Sequence, residues 1–357
     1  MKMSYAATSM KILVTGATGF FGGLLKVYLE KAGHSYVNLD RLADAQDEAS
    51  GKMALCDLRD AAAVEAVFAA RGPFDAVCHV AAELAHEARD PMGLWKSNVE
   101  GTRNVAEACR LHGVKKLVFT STNCLWGKPL NRPVKENDPP YPVEIYGKSK
   151  LAAEELLKEY TSDLHVIIFR SPTVIAPGRI GLLGILFDFI AEGRRLPVVG
   201  RKDKPYQFIY ADDHAAAILL ALAHPGSDVF HIGSHNATSL EDSYRYVIER
   251  AGSKSKIYHL PKFPTLPVMQ FCHIIKISPL GPYQYNMIAE EFVFDTTHLE
   301  KTLGWQPSKT NGEILFTAYD YYVKNKDRIG IEAGNASLPA HRRKARMGVI
   351  RLLKWIS

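Results

Sequence analysis

The chain has 357 residues, 47% hydrophobic and 23% charged, a profile of a soluble globular protein with length for one large or two ordinary domains. Its 44 basic and 38 acidic residues leave a net charge of +6. All of that excess lies in the last seventeen residues, in Arg342, Arg343, Lys344, Arg346, Arg351 and Lys354. The balanced remainder gives no reason to expect a nucleic-acid partner.

Five cysteines (Cys56, Cys78, Cys109, Cys124, Cys272) follow no metal spacing and read as reduced thiols. The start, Met1 to Met10, lacks the apolar core of a secretory signal, and no stretch reaches the length of a membrane span. A cytoplasmic protein without a metal is expected.

Lys11–Thr15 is a short, β-branched apolar run, a buried strand. Gly16, Gly19 and Gly22 follow it and open a helix over Phe20–Lys31. In that setting the glycines permit a tight turn and a close approach to a pyrophosphate over the helix start. Ser35–Asp40 is a second strand. Asp40, about twenty residues beyond the glycines, is placed to accept a ribose 2′-hydroxyl and to repel a 2′-phosphate, which favours NAD over NADP. Arg41 follows it and could soften that preference or stack on adenine.

A third strand over Met53–Cys56 leads to Asp57 and Leu58, placed to flank an adenine. Asp57 has a second reading, as cap of the next helix, about Ala61 to Ala70. Phe74–Val80 and Lys116–Ser121 are further strands, separated by a helical pattern from about Met92 to Leu111. A helix from Tyr146 to about Tyr160 precedes a sixth strand, Leu164–Phe169. Tyr146 and Lys150 are four apart on that helix and share a face. An ammonium there favours the phenolate, so the tyrosine can exchange a proton with a substrate hydroxyl while a cofactor takes the hydride.

Strands alternating with helices predict a doubly wound parallel sheet. Asp228–Ile232 reads as one more strand returning to it. Residues 10–175 with about 207–235 are expected to form the dinucleotide domain, 176–206 with 236–330 a smaller α/β substrate lobe, and 331–357 a basic tail. The apolar run from Ile180 to Ile190 reads as the lobe's core helix, or otherwise as a pocket lining. A second apolar run, Leu260 to Tyr283, is too broken by proline for a membrane span. In the tail, Met347, Val349, Ile350, Leu352, Leu353, Trp355 and Ile356 lie among the cations. That fits an interfacial helix at the inner face of a membrane, a helix docked on the body, or a disordered basic end.

Together these residues resemble the extended short-chain dehydrogenase/reductases, the NAD-dependent epimerase/dehydratase group. The marks are the glycine run, Asp57-Leu58, His79-Val-Ala-Ala82, Asn98-Val-Glu-Gly-Thr102, Thr120–Gly127, Tyr146-x-x-x-Lys150, Arg170-Ser-Pro, Phe208–Asp213 and Phe294–Pro307. The resemblance implies NAD as cofactor, held by Gly16, Gly19, Phe20, Gly22, Asp40, Arg41, Asp57, Leu58, Val80, Ala81, Ala82, Asn98, Tyr146, Lys150 and Pro172. It implies Tyr146 as acid/base, Thr122 as hydrogen-bond partner of the reacting oxygen, and Lys150 as ribose anchor. For Asn98 it implies support of a helix bend, and for the whole chain a homodimer.

Two departures narrow the reaction. The sugar 4,6-dehydratases carry Thr-Asp-Glu where this chain has Thr122-Asn123-Cys124, so water elimination is disfavoured. UDP-sugar epimerases commonly place an arginine where Tyr206 stands and an asparagine where Thr173 stands. A diphosphate would have to rely on Arg194, Arg195, Lys202 or Lys204. The leading expectation is an epimerase for a nucleotide- or lipid-linked sugar. The alternatives are a dehydrogenase of a lipophilic alcohol, resembling the 3β-hydroxysteroid dehydrogenases, and a non-catalytic NAD-binding protein.

Overall fold

The computed structural model describes residues 9–84, 90–200, 203–275 and 290–332. The first half alternates strand and helix: β1 (Lys11–Thr15), α1 (Phe20–Lys31), β2 (Ser35–Asp40), α2 (Ala45–Ala49), β3 (Met53–Leu55), α3 (Ala61–Arg71) and β4 (Ala76–His79). Then come α4 (Pro91–Trp95), α5 (Gly101–Leu111), β5 (Lys116–Thr122), α6 (Ile145–Lys158) and β6 (His165–Ser171). The remainder holds β7 (Thr173–Ile175), α7 (Leu183–Ala191), β8 (Leu196–Val199), β9 (Phe208–Tyr210), α8 (Ala211–Leu222) and β10 (Asp228–His231). It continues with α9 (Leu240–Arg250), β11 (Ile257–Leu260), α10 (Lys262–Ile274) and helices Thr297–Leu303, Asn311–Lys324 and Lys326–Glu332.

Seven strands form one parallel sheet in the order β10-β6-β5-β4-β1-β2-β3. Successive residues of β1 serve opposite faces. Leu13 packs with Val64, Phe68, Val105 and Leu157 of α3, α5 and α6. Ile12 and Val14 pack with Leu25, Leu29, Ile218 and Leu222 of α1 and α8. Burial on both faces explains the unbroken apolar strands. The chain moves outward from β1 to β3 in one direction and from β4 to β6 in the other. The reversal between β1 and β4 opens a crevice at the carboxyl ends, where such sheets take ligands. Thr15, Asp40, His79, Thr122 and Ser171 all end their strands there.

A third core joins Phe187, Phe189 and Ile190 of α7 to Val247, Leu315 and Tyr322. The Ile180–Ile190 run is therefore a core helix, anchored where the Tyr322 hydroxyl donates to Asp188 at 2.6 Å. Two short parallel pairs, β7 with β9 and β8 with β11, complete this region.

The pattern from Met92 to Leu111 is not one helix. Between α4 and α5 the residues Lys96–Glu100 form a wider, π-helical turn. The side chain of Asn98 in this turn bonds the backbone of Glu83, so the helix widens where it leans on the loop after β4.

Candidate functional site

The glycine loop is built by close approach. Gly16 has φ +72° and donates to the Leu39 carbonyl at 2.9 Å. A Cβ there would lie 2.6 Å from the Cα of Ala81. A Cβ on Gly22 would lie 2.3 Å from the Gly16 carbonyl oxygen. Gly19 caps α1 without a side-chain hydrogen bond, which leaves the first N–H groups of the helix for an anion. Phe20 opens the helix, with the Arg179 guanidinium 5.6 Å from its ring centre. Gly22→Ala is expected to destabilise the fold by about 1–3 kcal/mol and to weaken NAD binding. Calorimetric titration and thermal melting check both.

Asp40 is tied to this loop. One oxygen accepts from the Thr18 N–H and the other from the Leu42 N–H, each at 3.0 Å. Burial raises its carboxyl above the ordinary range, against the pull of those N–H groups and Arg41. Such a carboxylate still has lone pairs to offer a ribose diol. Arg41 is half exposed and 3.6 Å from Glu83. Asp57 does not cap α3: Asp60 does, accepting from Ala63 N–H. Asp57 instead grips the Arg59 guanidinium and N–H, which holds its carboxyl below the usual range. Leu58 is buried and meets α5 at Gly101, where a Cβ would stand 3.0 Å from it. Val80, Ala81 and Ala82 leave β4 alongside the glycine loop, with the Ala81 N–H 3.3 Å from Thr15 Oγ1. A loop that a Cβ would fill, an uncapped helix start and a carboxylate beside both fit a dinucleotide.

On the other side of the crevice, Thr122 ends β5, buried, its Oγ1 accepting from the Cys124 N–H at 3.1 Å. The first turn of α6 sits directly on that bend. A Cβ on Gly147 would lie 2.3 Å from the Cys124 carbonyl oxygen, so glycine is what lets this turn approach the end of β5 so closely. Tyr146 is partly exposed, and its carbonyl accepts from Ser149 Oγ at 2.8 Å. Asn98 Nδ2 donates to the same Ser149 oxygen at 3.0 Å, tying α6 to the loop after β4. Pro172 follows β6 and is buried.

Lys150 is 1% exposed, with Nζ 3.8 Å from the Phe119 ring centre. Burial lowers its pKa to about 7, and Glu154 opposes that only in part. Among the described residues no hydrogen-bond acceptor meets the ammonium, which leaves its donors for a ligand. His79, bonded to Thr15 and Thr102, is held neutral by burial and by Lys150, its pKa lowered to about 3.

Phe119 and His79 in these roles are not visible in the sequence, because both look like ordinary strand residues. Tyr206 is the other addition. Its buried phenol lies beside Thr173 and Asn123, and burial pushes it up to about 12. The cations considered for a diphosphate are otherwise engaged. Arg194 lies 3.7 Å from Glu192, Arg195 stacks on Tyr258 at 5.1 Å and Lys204 lies 3.3 Å from Glu291. Lys202 lies outside the described residues.

A sequence model of the NAD dependent epimerase/dehydratase family matches residues 12–233. A Sinorhizobium fredii protein designated y4nG is 31% identical over 346 residues, covering 96% of this chain and 85% of that protein. UDP-glucose 4-epimerase 2 of Oryza sativa is 29% identical over 296 residues, 71% of this chain and 72% of its own. In structure, a UDP-glucose 4-epimerase of Thermotoga maritima matches with a TM-score of 0.73 at 23% identity, covering 89% of this chain and 100% of that one. A dTDP-glucose 4,6-dehydratase of Bacillus anthracis matches at 0.71 and 20% identity, covering 89% and 98%. These two likenesses speak for the fold.

Proposed function

The chain belongs to the NAD-dependent epimerase/dehydratase family, and from that membership we propose that it inverts a secondary hydroxyl of a sugar by transient oxidation. NAD is the cofactor, and when bound it supplies a reversible hydride acceptor. The protein's own part falls to three side chains. Lys150 Nζ, which meets no acceptor among the described residues, binds ribose oxygens. Thr122 Oγ1 holds the reacting substrate oxygen in line with the phenol. Tyr146 Oη would take the hydroxyl proton as the alcohol becomes a ketone and return it to the same oxygen once hydride has come back to the opposite face of the ketone carbon, so protons and electrons balance over the cycle.

The observation that carries this reading is the seat of the first turn of α6 on the Thr122–Leu125 bend, with the buried Lys150 behind it. Elimination of water is disfavoured at the same place. The residues after Thr122 are an amide, Asn123, whose buried Nδ2 has no hydrogen-bond partner, and a thiol, Cys124. Neither supplies the acid that elimination needs. Relatives that act on UDP-sugars support a nucleotide-linked sugar. The neutral Tyr206 and the engaged cations support a less anionic one, such as a lipid-linked sugar.

Incubation of the purified holoenzyme with UDP-glucose and UDP-N-acetylglucosamine, followed by proton NMR and absorbance at the NADH band, tests this. Inverted product without net NADH is expected. NADH formed in step with product, on a sugar or a sterol alcohol, would identify a net dehydrogenase. No turnover on any of them, nor on a lipid-linked sugar, would leave a cofactor-binding protein.

A further inference from the structure

Helix α10 presents the wrong side to water. Phe263 is 79% exposed, Val268 56%, Phe271 60%, Ile274 67% and the adjoining Ile275 46%. Pro264 and Pro267 are exposed with them, and Gln270 is the one polar residue among the exposed positions from 263 to 275. Cys272 is the one buried residue of the helix. Elsewhere on the described surface, large exposed apolar side chains are more scattered, as is normal. A continuous apolar face of this kind marks a docking surface. Lys262, at its start, is paired with Glu290, so the face itself carries no free charge.

We propose that this face docks on an anionic lipid bilayer, with the basic segment His341–Ser357 as the second contact. That segment lies outside the described residues, but its sequence holds the chain's entire excess of positive charge, interleaved with apolar residues. Stable attachment to a bilayer takes two signals, such as one apolar and one cationic, and this chain carries both. A second copy of the chain would cover the apolar helix and leave the cations without a partner. No helix of the described residues is long and apolar enough to cross a membrane. Because α10 directly follows β11, attachment places the second lobe at the bilayer. The inference stands apart from the reaction proposed above.

Sedimentation of the full chain with phosphatidylcholine vesicles, with and without phosphatidylglycerol, tests it. Binding is expected only to the anionic vesicles and should weaken in high salt. Phe271→Glu and Ile274→Glu are exposed positions and should each reduce binding by about tenfold while leaving the melting temperature unchanged. Failure of the full chain to bind anionic vesicles, or binding by both variants as strong as that of the unsubstituted chain, would overturn the proposal. So would a shift from dimer to monomer in these variants with no vesicle binding in either form, which would assign the face to a second copy.

Discussion

Tyr146→Phe is expected to lower turnover by about a thousandfold while leaving NAD bound. The substitution removes one oxygen from a partly exposed ring at the start of α6. Most of the contacts argued to hold the cofactor lie elsewhere, in the glycine loop, at Asp40 and at Lys150. The ring still fills its place, and the seat of Gly147 on Cys124 is untouched. The loss should therefore fall on kcat, with the fold and the cofactor retained. Thr122→Ala should cost less, about a hundredfold, because it orients the reacting oxygen without taking its proton. The double variant should be scarcely worse than Tyr146→Phe alone, since residues that act on one proton are not additive. Steady-state rates with a turned-over sugar, and the NAD content of each purified variant, check these values. A Tyr146→Phe enzyme that keeps a tenth or more of its turnover would remove the tyrosine from the mechanism.

The parts of this site that were legible in the sequence are those fixed by local rules. A glycine run between a strand and a helix, a carboxylate ending the second strand and a four-residue spacing on one helix are all short-range patterns. The sheet order follows from them, because alternating strands and helices leave few topologies open. What stayed hidden depends on distant parts of the chain. Phe119 reads as core, and only the packing of α6 on β5 puts its ring beneath Lys150. Asn98 is expected to support a helix bend, but its partners, Glu83 in the loop after β4 and Ser149 in α6, come from distant parts of the chain. Asp57 and Asp60 are both reasonable caps by residue type, and the turn after β3 selects the second. The apolar run from Leu260 was legible as apolar and proline-broken. That its described part, from Phe263 to Ile275, faces outward is a property of the assembled chain.

Lys150→Met should abolish turnover and yet stabilise the enzyme after its cofactor is removed. A lysine in the unfolded chain titrates near 10.4, whereas Lys150 in the fold titrates at about 7 because burial penalises its charge. Between these values the unfolded chain binds the extra proton and the folded one does not. Stability therefore rises with pH across that window, and below about pH 7 the full penalty is present. Methionine fills a similar volume without charge, so it should gain about 2–4 kcal/mol near neutral pH. The gain should shrink as the pH approaches 10.4, where the wild-type penalty disappears. Thermal or urea melting of the two cofactor-free proteins across this range gives the difference directly. A constant difference, or a less stable variant at neutral pH, would mean that the ammonium finds an acceptor before any ligand arrives. The expected pattern, stability gained where activity is lost, is that of a cation kept buried because a ligand's oxygens will need it. An acceptor brought to Nζ favours the ammonium, so binding should restore the proton that the empty site sheds. It is the charged form, beside Tyr146 on the same helix face, that favours the phenolate.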